Sequence, residues 1–229
     1  MHSTARRIDP VHYPSEDNVG EHEVQRYIAE LLRPLLARWL AEQGRVAHVG
    51  ADQFFYWVEG DTGTRRAPDV YVIDGVAQDI PEVGSWKVWE GHAPSFALEV
   101  VSLDWKKDYD EAPPDYEKMG VRELVVFDPW ATSRSRKRLR WQVFRRVRGR
   151  GFVRVTASND DRVESRVLGA WLVAVTERGH TRVRLAEDET DEALVPTDGE
   201  RAATAEASAA AAEAEVARLK TLLAELEGR

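Results

Sequence analysis

Residues Ser95–Pro129 read SFALEVVSLDWKKDYDEAPPDYEKMGVRELVVFDP. The stretch opens on an apolar strand, SFALEVV, with one acid, Glu99, near its end. A loop of mixed charge follows, carrying Lys106 and Lys107. Then come a short helix around Tyr116 and a second apolar strand, Leu124–Phe127. Strand, helix and strand in that order predict a parallel crossover. A carboxylate near the end of a core strand loses hydration, so it needs a cation, a metal or hydrogen-bond donors as compensation.

Upstream, Asp69–Ile73 reads as another strand, entered through Pro68, whose missing N–H suits a strand entrance. If this strand and the Glu99 strand are antiparallel neighbours, Asp69 at the start of one lies beside Glu99 at the end of the other. Neighbouring strands run about 4.8 Å apart, so the two carboxylates can converge. Two acids that close repel unless a proton or cation intervenes. Mg²⁺ or Mn²⁺, which take oxygen ligands, suits such a pair. Alternation places Ala97, Glu99 and Val101 on one face and Leu98 and Val100 on the other. A lysine beside a metal-bound water can orient it or stabilise charge on a phosphate, which makes Lys106 and Lys107 candidates. The same residues also fit structural roles: Asp69 bonding a turn, Glu99 paired with Arg66 or a lysine, and both lysines solvated.

Farther out, Glu21–Glu42 has helical periodicity in Val24, Ile28, Leu31, Leu32, Leu35, Leu36 and Trp39. Pro34 predicts a kink or break, and Gly44 a stop. Arg45–Val49 and Gln53–Val58 read as strands, and Glu59–Arg66 as a turn. Gly75–Pro94 reads as a long connection of the kind that forms lids, with Trp86 and Trp89 inside it. Leu139–Arg146 and Gly151–Thr156 predict a hairpin, with further strands over Val163–Val175 and Thr181–Leu185. The organisation expected is an arm over residues 1–20, a domain over 21–185, a linker over 186–200 and a helical tail over 201–229. In the tail, Ala202, Ala209, Val216 and Leu223 fall seven apart, with Ala205, Ala212, Leu219 and Leu226 as the matching set. That heptad predicts a coiled coil and hence a homo-oligomer, a dimer being the simplest.

Composition narrows the chemistry. The chain has 229 residues, 43% of them hydrophobic, with eight tryptophans, enough for a real core. The absence of cysteine excludes disulfides and thiolate chemistry and fits a cytoplasmic protein. No apolar run is long enough to span a membrane. The net charge of −8 argues against a broadly basic nucleic-acid coat but not against a local patch. Arg134–Arg154 holds ten basic residues and no acid, so Arg136, Lys137, Arg138, Arg146 and Arg148 are candidate phosphate contacts.

Ala67-Pro68-Asp69-Val70, Leu98-Glu99-Val100-Val101-Ser102, Tyr116, Gly120-Val121-Arg122-Glu123-Leu124 and Phe127-Asp128-Pro129 together resemble the Uma-two family, restriction-endonuclease-like proteins of the PD-(D/E)xK nuclease superfamily. The resemblance runs from about Glu21 to Leu185. It implies an α/β, restriction-endonuclease-like core with a mixed sheet flanked by helices. It further implies a divalent metal, Asp69 and Glu99 as ligands, an additional acid from Glu21 or Glu23, and hydrolysis of nucleic-acid phosphodiesters, with DNA favoured over RNA. The heptad tail resembles a C-terminal extension of many members. One position departs: the family carries a lysine one helical turn before the tyrosine, where this chain has Ala112. Lys106 or Lys107 is then the substitute. The departure also admits a second reading, a nuclease fold that acts without catalysis as a binding or assembly module.

Overall fold

An amphipathic helix, α1 (Glu23–Glu42), opens the described part of the chain. The computed structural model describes residues 23–81, 83–102, 105–177, 179–190 and 193–227. The expected arm over residues 1–20, Glu21 and Asp104 therefore lie outside the described residues. Helix α1 buries Ile28, Ala29, Leu32, Leu35, Leu36 and Leu40, one stripe at helical spacing. It runs unbroken through Pro34, where a kink or break was expected. Pro34 stands on the exposed side, away from that stripe, so its ring does not disturb the packed face. Gly44 ends the turn after the helix at a φ of 71°, a conformation that only glycine adopts cheaply.

Strands β1 (Ala47–Gly50), β2 (Phe54–Tyr56), β3 (Arg65–Arg66) and β4 (Val70–Asp74) follow. The long connection after β4 is no open lid: it contains β5 (Ser85–Lys87) and a 3₁₀ turn. Strand β5 runs parallel to β2, with Phe55 opposite Trp86. Trp86 is buried, and its indole N–H donates to the Tyr71 hydroxyl at 2.7 Å, which in turn bonds Gln53. This network links the β2 and β5 region to β4.

Strand β6 (Phe96–Val100) leads into α2 (Trp105–Asp110), α3 (Ala112–Met119) and β7 (Glu123–Phe127). Strands β6 and β7 are parallel neighbours, the crossover the sequence predicts. The charged loop expected before Tyr116 is partly helical, since α2 occupies it. Gly120 closes α3 at a φ of 89°, with its N–H on the Glu117 and Tyr116 carbonyls, which turns the chain sharply into β7. Strands β8 (Trp141–Val147), β9 (Gly151–Ser158), β10 (Arg162–Ser165), β11 (Ala170–Glu177) and β12 (His180–Ala186) complete this part.

The main sheet has the order β1-β4-β6-β7-β8-β9 and is mixed: only β6 and β7 run parallel. Two three-stranded sheets, β3-β2-β5 and β10-β11-β12, stand beside it. Helix α1 packs on β1, β4 and β12. The other face of the main sheet, with Tyr71, Ile73, Ala97, Val101, Leu124 and Val126, packs on Ala112, Tyr116 and Met119 of α3. The α/β class with a mixed sheet is as the sequence predicts.

Two fully buried acids, Glu123 at the start of β7 and Asp128 just past its end, are neutralised in place. Glu123 meets the Arg145 Nε at 2.5 Å, the Ser165 hydroxyl and the Arg166 N–H. Asp128 meets the Arg138 Nε at 2.6 Å, the Tyr109 hydroxyl at 2.8 Å and the Trp130 N–H at 2.9 Å. Breaking such a pair costs about 3–5 kcal/mol, because the remaining charge stays buried and uncompensated.

The chain divides into two compact units, Met1–Leu194 and Val195–Arg229. The second is helix α4 (Asp198–Glu227) with its lead-in. A reciprocal cap starts it: the Glu200 carboxylate accepts from the Thr197 N–H at 2.7 Å, and the Glu200 N–H donates to the Thr197 hydroxyl at 3.2 Å. Val216, Leu219, Leu222, Leu223 and Leu226 are exposed on it. Among the described residues, no helix is long and apolar enough to cross a membrane.

Candidate active site

Strands β4 and β6 are antiparallel neighbours, with Val70 opposite Leu98 and Tyr71 opposite Ala97. One step beyond Val70 and Leu98, the same register sets Asp69 opposite Glu99. Alternation then directs both side chains to the sheet face that carries Tyr71, Ala97 and Tyr116. Asp69 sits at the strand entrance after Pro68, whose carbonyl accepts the Asp52 N–H at 3.0 Å. Asp52 has a φ of 54°, and its charge acts on Asp69.

Each carboxylate is held by donors from the fold. Asp69 is 6% exposed, and its Oδ2 accepts the Val100 N–H at 2.6 Å. Glu99 is half-buried, and its Oε1 accepts the hydroxyl of the fully buried Tyr116. The charge of Glu99 acts on Asp69, so the two carboxyl groups do not ionise independently. Burial, and then the charge of Glu99, push Asp69 well above the usual carboxylate range against the pull of the Val100 N–H. Burial pushes Glu99 up to about 7, opposed by the Tyr116 hydroxyl and the Arg66 charge. Burial and the Glu99 charge raise Tyr116 in turn, so it stays a protonated donor.

Glu123 and Asp128 provide the contrast. Each buried acid there has an arginine at ion-pair distance. Among the described residues, neither Asp69 nor Glu99 has a salt-bridge partner; each accepts one donor, the Val100 N–H and the Tyr116 hydroxyl. Two carboxyl groups that face each other across a ladder, with no cation at ion-pair distance among the described residues, are the arrangement a bound divalent ion completes. Among the described residues, no three acidic or histidine side chains converge on one point. The donor set therefore fits a hard ion such as Mg²⁺, which takes one or two carboxylates and fills its remaining positions with water and substrate oxygen. It does not fit a closed cage.

The other candidates are dispersed. Lys106 and Lys107 are exposed on α2, with Lys106 Nζ 5.9 Å from the Trp105 ring centre. Asp108 on the same helix accepts the Ser102 N–H at 2.7 Å and its hydroxyl at 2.9 Å, which fastens α2 to the end of β6. Glu23 is exposed and accepts the Tyr27 hydroxyl at 2.6 Å. Of the basic candidates, Arg138 is committed to Asp128, and Arg146 donates to the Glu117 carbonyl at 2.7 Å. Arg136, Lys137 and Arg148 are exposed.

Three participants were not singled out as site residues from the sequence. Tyr116 was read only as part of a motif, yet it bonds Glu99. Arg66 was weighed only as a possible ion-pair partner of Glu99. Its Nε bonds Asp115 at 3.0 Å, while its charge reaches Glu99. Gln25 on α1 donates to the Val100 carbonyl at 3.0 Å, anchoring the first turns of α1 to the strand end that carries Glu99. Helical spacing from Ala112 to Tyr116 was the one available signal, since it sets a polar tip one turn from a small residue.

A solved chain from Anabaena variabilis, described as "a putative nuclease belonging to DUF820", is similar over 65% of this chain and 75% of that one, with 15% identity and a TM-score of 0.42. No curated protein matches the sequence at a significant level. The Uma2 family model, described as "Putative restriction endonuclease", matches residues 17–197, which include both facing carboxylates and the strands that carry them. The chain belongs to this Uma2 family.

Proposed function

We propose that the protein is a divalent-metal-dependent endonuclease that hydrolyses nucleic-acid phosphodiesters, DNA in the first instance. The single observation that carries the reading is the facing Asp69–Glu99 pair: among the described residues neither acid has an arginine at ion-pair distance, whereas the fully buried Glu123 and Asp128 each do. Asp69 and Glu99 would hold Mg²⁺ or Mn²⁺. Bound there, the ion supplies Lewis acidity toward a phosphoryl oxygen and acidifies a water. The Val100 N–H and the Tyr116 hydroxyl fix the two carboxylates before substrate arrives, so little reorganisation is left for the reaction. Lys106 and Lys107 are assigned to orienting the attacking water, with Glu23, or Glu21 outside the described residues, as an additional acid. Arg136, Lys137 and Arg148 are assigned to the nucleic-acid backbone, with Arg138 and Arg146 beside them. The nuclease unit is assigned to residues 21–185 and the linker to 186–200.

The tail over residues 201–229 is assigned to self-association. Its apolar heptad positions Val216, Leu219, Leu223 and Leu226 are all exposed on α4. Light scattering should give a mass of two or more chains for the protein and of one chain for Leu219→Glu/Leu223→Glu. A monomeric parent protein contradicts this.

Cleavage tests the central reading. With Mg²⁺ or Mn²⁺, the protein should cut plasmid DNA or labelled oligonucleotides, and Asp69→Asn and Glu99→Gln should each lower the rate by more than about 100-fold. Activity that survives either substitution, or persists in EDTA, contradicts it.

The raised Glu99 has a consequence for stability. Its pKa moves from 4.5 to about 7 on folding, so the folded state binds more protons than the unfolded state between those values. Stability of the metal-free protein therefore falls as pH rises through that window. Asp69 is shifted in the same direction. The melting temperature should drop between about pH 5 and pH 8, the drop should shrink in Glu99→Gln, and Mn²⁺ at pH 8 should restore it. A melting temperature that rises over this range in the metal-free protein contradicts the assignment.

A further inference from the structure

Arg66 ends β3, where it pairs with Phe55 of β2, and precedes Asp69 in the chain by one short turn through Pro68. Its side chain is 16% exposed, and its Nε donates to Asp115 Oδ2 at 3.0 Å. Asp115 stands on α3 directly before Tyr116, the residue that bonds Glu99. The guanidinium is thus fixed by β3 through its backbone and by α3 through its Nε.

That bond uses one edge of the guanidinium. Among the described residues, Nη1 and Nη2 of Arg66 make no hydrogen bond, and neither is sealed from solvent. Asp115 is shared, because Lys118 Nζ lies 3.3 Å from its other oxygen. The charge of Arg66 reaches both Glu99 and Tyr116, and Asp108 acts on Glu99 in the opposite sense. A divalent ion offsets the two charges of Asp69 and Glu99 but leaves a phosphodiester anion uncompensated. An arginine with its terminal amino groups free is the group suited to accept one, through paired N–H donors on two phosphate oxygens.

We propose that Arg66 binds the substrate phosphate beside the Asp69–Glu99 pair, with Asp115 as the positioning residue that aims it. This rests on the nuclease reading. It adds a phosphate-binding group that is built into the fold rather than carried on the exposed face of α2.

The test uses the full chain with Arg66→Met, Arg66→Lys and Asp115→Asn. Binding of a labelled DNA duplex and of its single strand is titrated against salt with Ca²⁺ in place of Mg²⁺, and Mn²⁺ binding to the free protein is measured separately. Arg66→Met should weaken both DNA forms roughly tenfold and lower the salt slope by about 1. Cleavage with Mn²⁺ should fall about 100-fold. Arg66→Lys should restore the salt slope but not the full rate, and Asp115→Asn should fall between. Mn²⁺ affinity should be unchanged or tighter in all three.

Unchanged DNA affinity and salt slope in Arg66→Met overturn the inference. So does a loss of Mn²⁺ binding and of cooperative melting in both Arg66→Met and Arg66→Lys, which marks a purely structural link from β3 to α3. The two proposals fail separately. A parent protein that binds Mn²⁺ but no DNA removes the phosphate contact and leaves the ion site. One that binds no Mn²⁺, yet loses DNA affinity on Arg66→Met, removes the nuclease reading and keeps the contact.

Discussion

Asp69 and Glu99 face each other across an antiparallel ladder, and everything distinctive about this molecule follows from that juxtaposition. Two carboxyl groups side by side and partly withdrawn from water ionise together only at a cost. In the metal-free chain, one backbone N–H serves Asp69, one tyrosine hydroxyl serves Glu99, and both acids are pushed toward their protonated forms. The arrangement costs stability above neutral pH, and the fold carries that cost without placing an arginine in the gap.

The surrounding structure is arranged to keep it so. The parallel crossover from β6 to β7 lays α3 over the sheet, which brings Tyr116 to Glu99. Asp108 fastens α2 at the end of β6, and Gln25 fastens α1 to the Val100 carbonyl. Three helices are thereby tied to one strand end. The same chain neutralises Glu123 and Asp128 with arginines, whereas among the described residues no cation pairs with Asp69 or Glu99. Placing Arg66 against Asp115 rather than against Glu99 keeps a positive charge close without filling the site.

Much of this was legible in the sequence for simple reasons. The crossover shows because apolar strands flank a helix with a clear end at Gly120. The Asp69–Glu99 juxtaposition shows because side-chain direction alternates strictly along strands, so an antiparallel pairing sets the partners. The heptad of the tail shows because its spacing is local. What stayed hidden depends on contacts distant in sequence. Phe55 and Trp86 form a strand pair that no local pattern announces, so Gly75–Pro94 reads as a loop. Pro34 reads as a break because the local rule ignores which side of the helix it occupies. Six residues are too few for α2 to show a helical period. The basic run Arg134–Arg154 reads as a single patch, although Arg138, Arg145 and Arg154 are spent on Asp128, Glu123 and Gln142 inside the fold. Charge counted along a chain cannot separate free cations from those already paired.

The most direct measurement is anomalous diffraction from crystals of this protein equilibrated with Mn²⁺ above neutral pH, where both carboxyl groups can lose their protons. The account predicts one strong peak bridging Asp69 and Glu99, about 2.2 Å from an oxygen of each, with water at its remaining positions. Clear density for both side chains with no peak between them would contradict it.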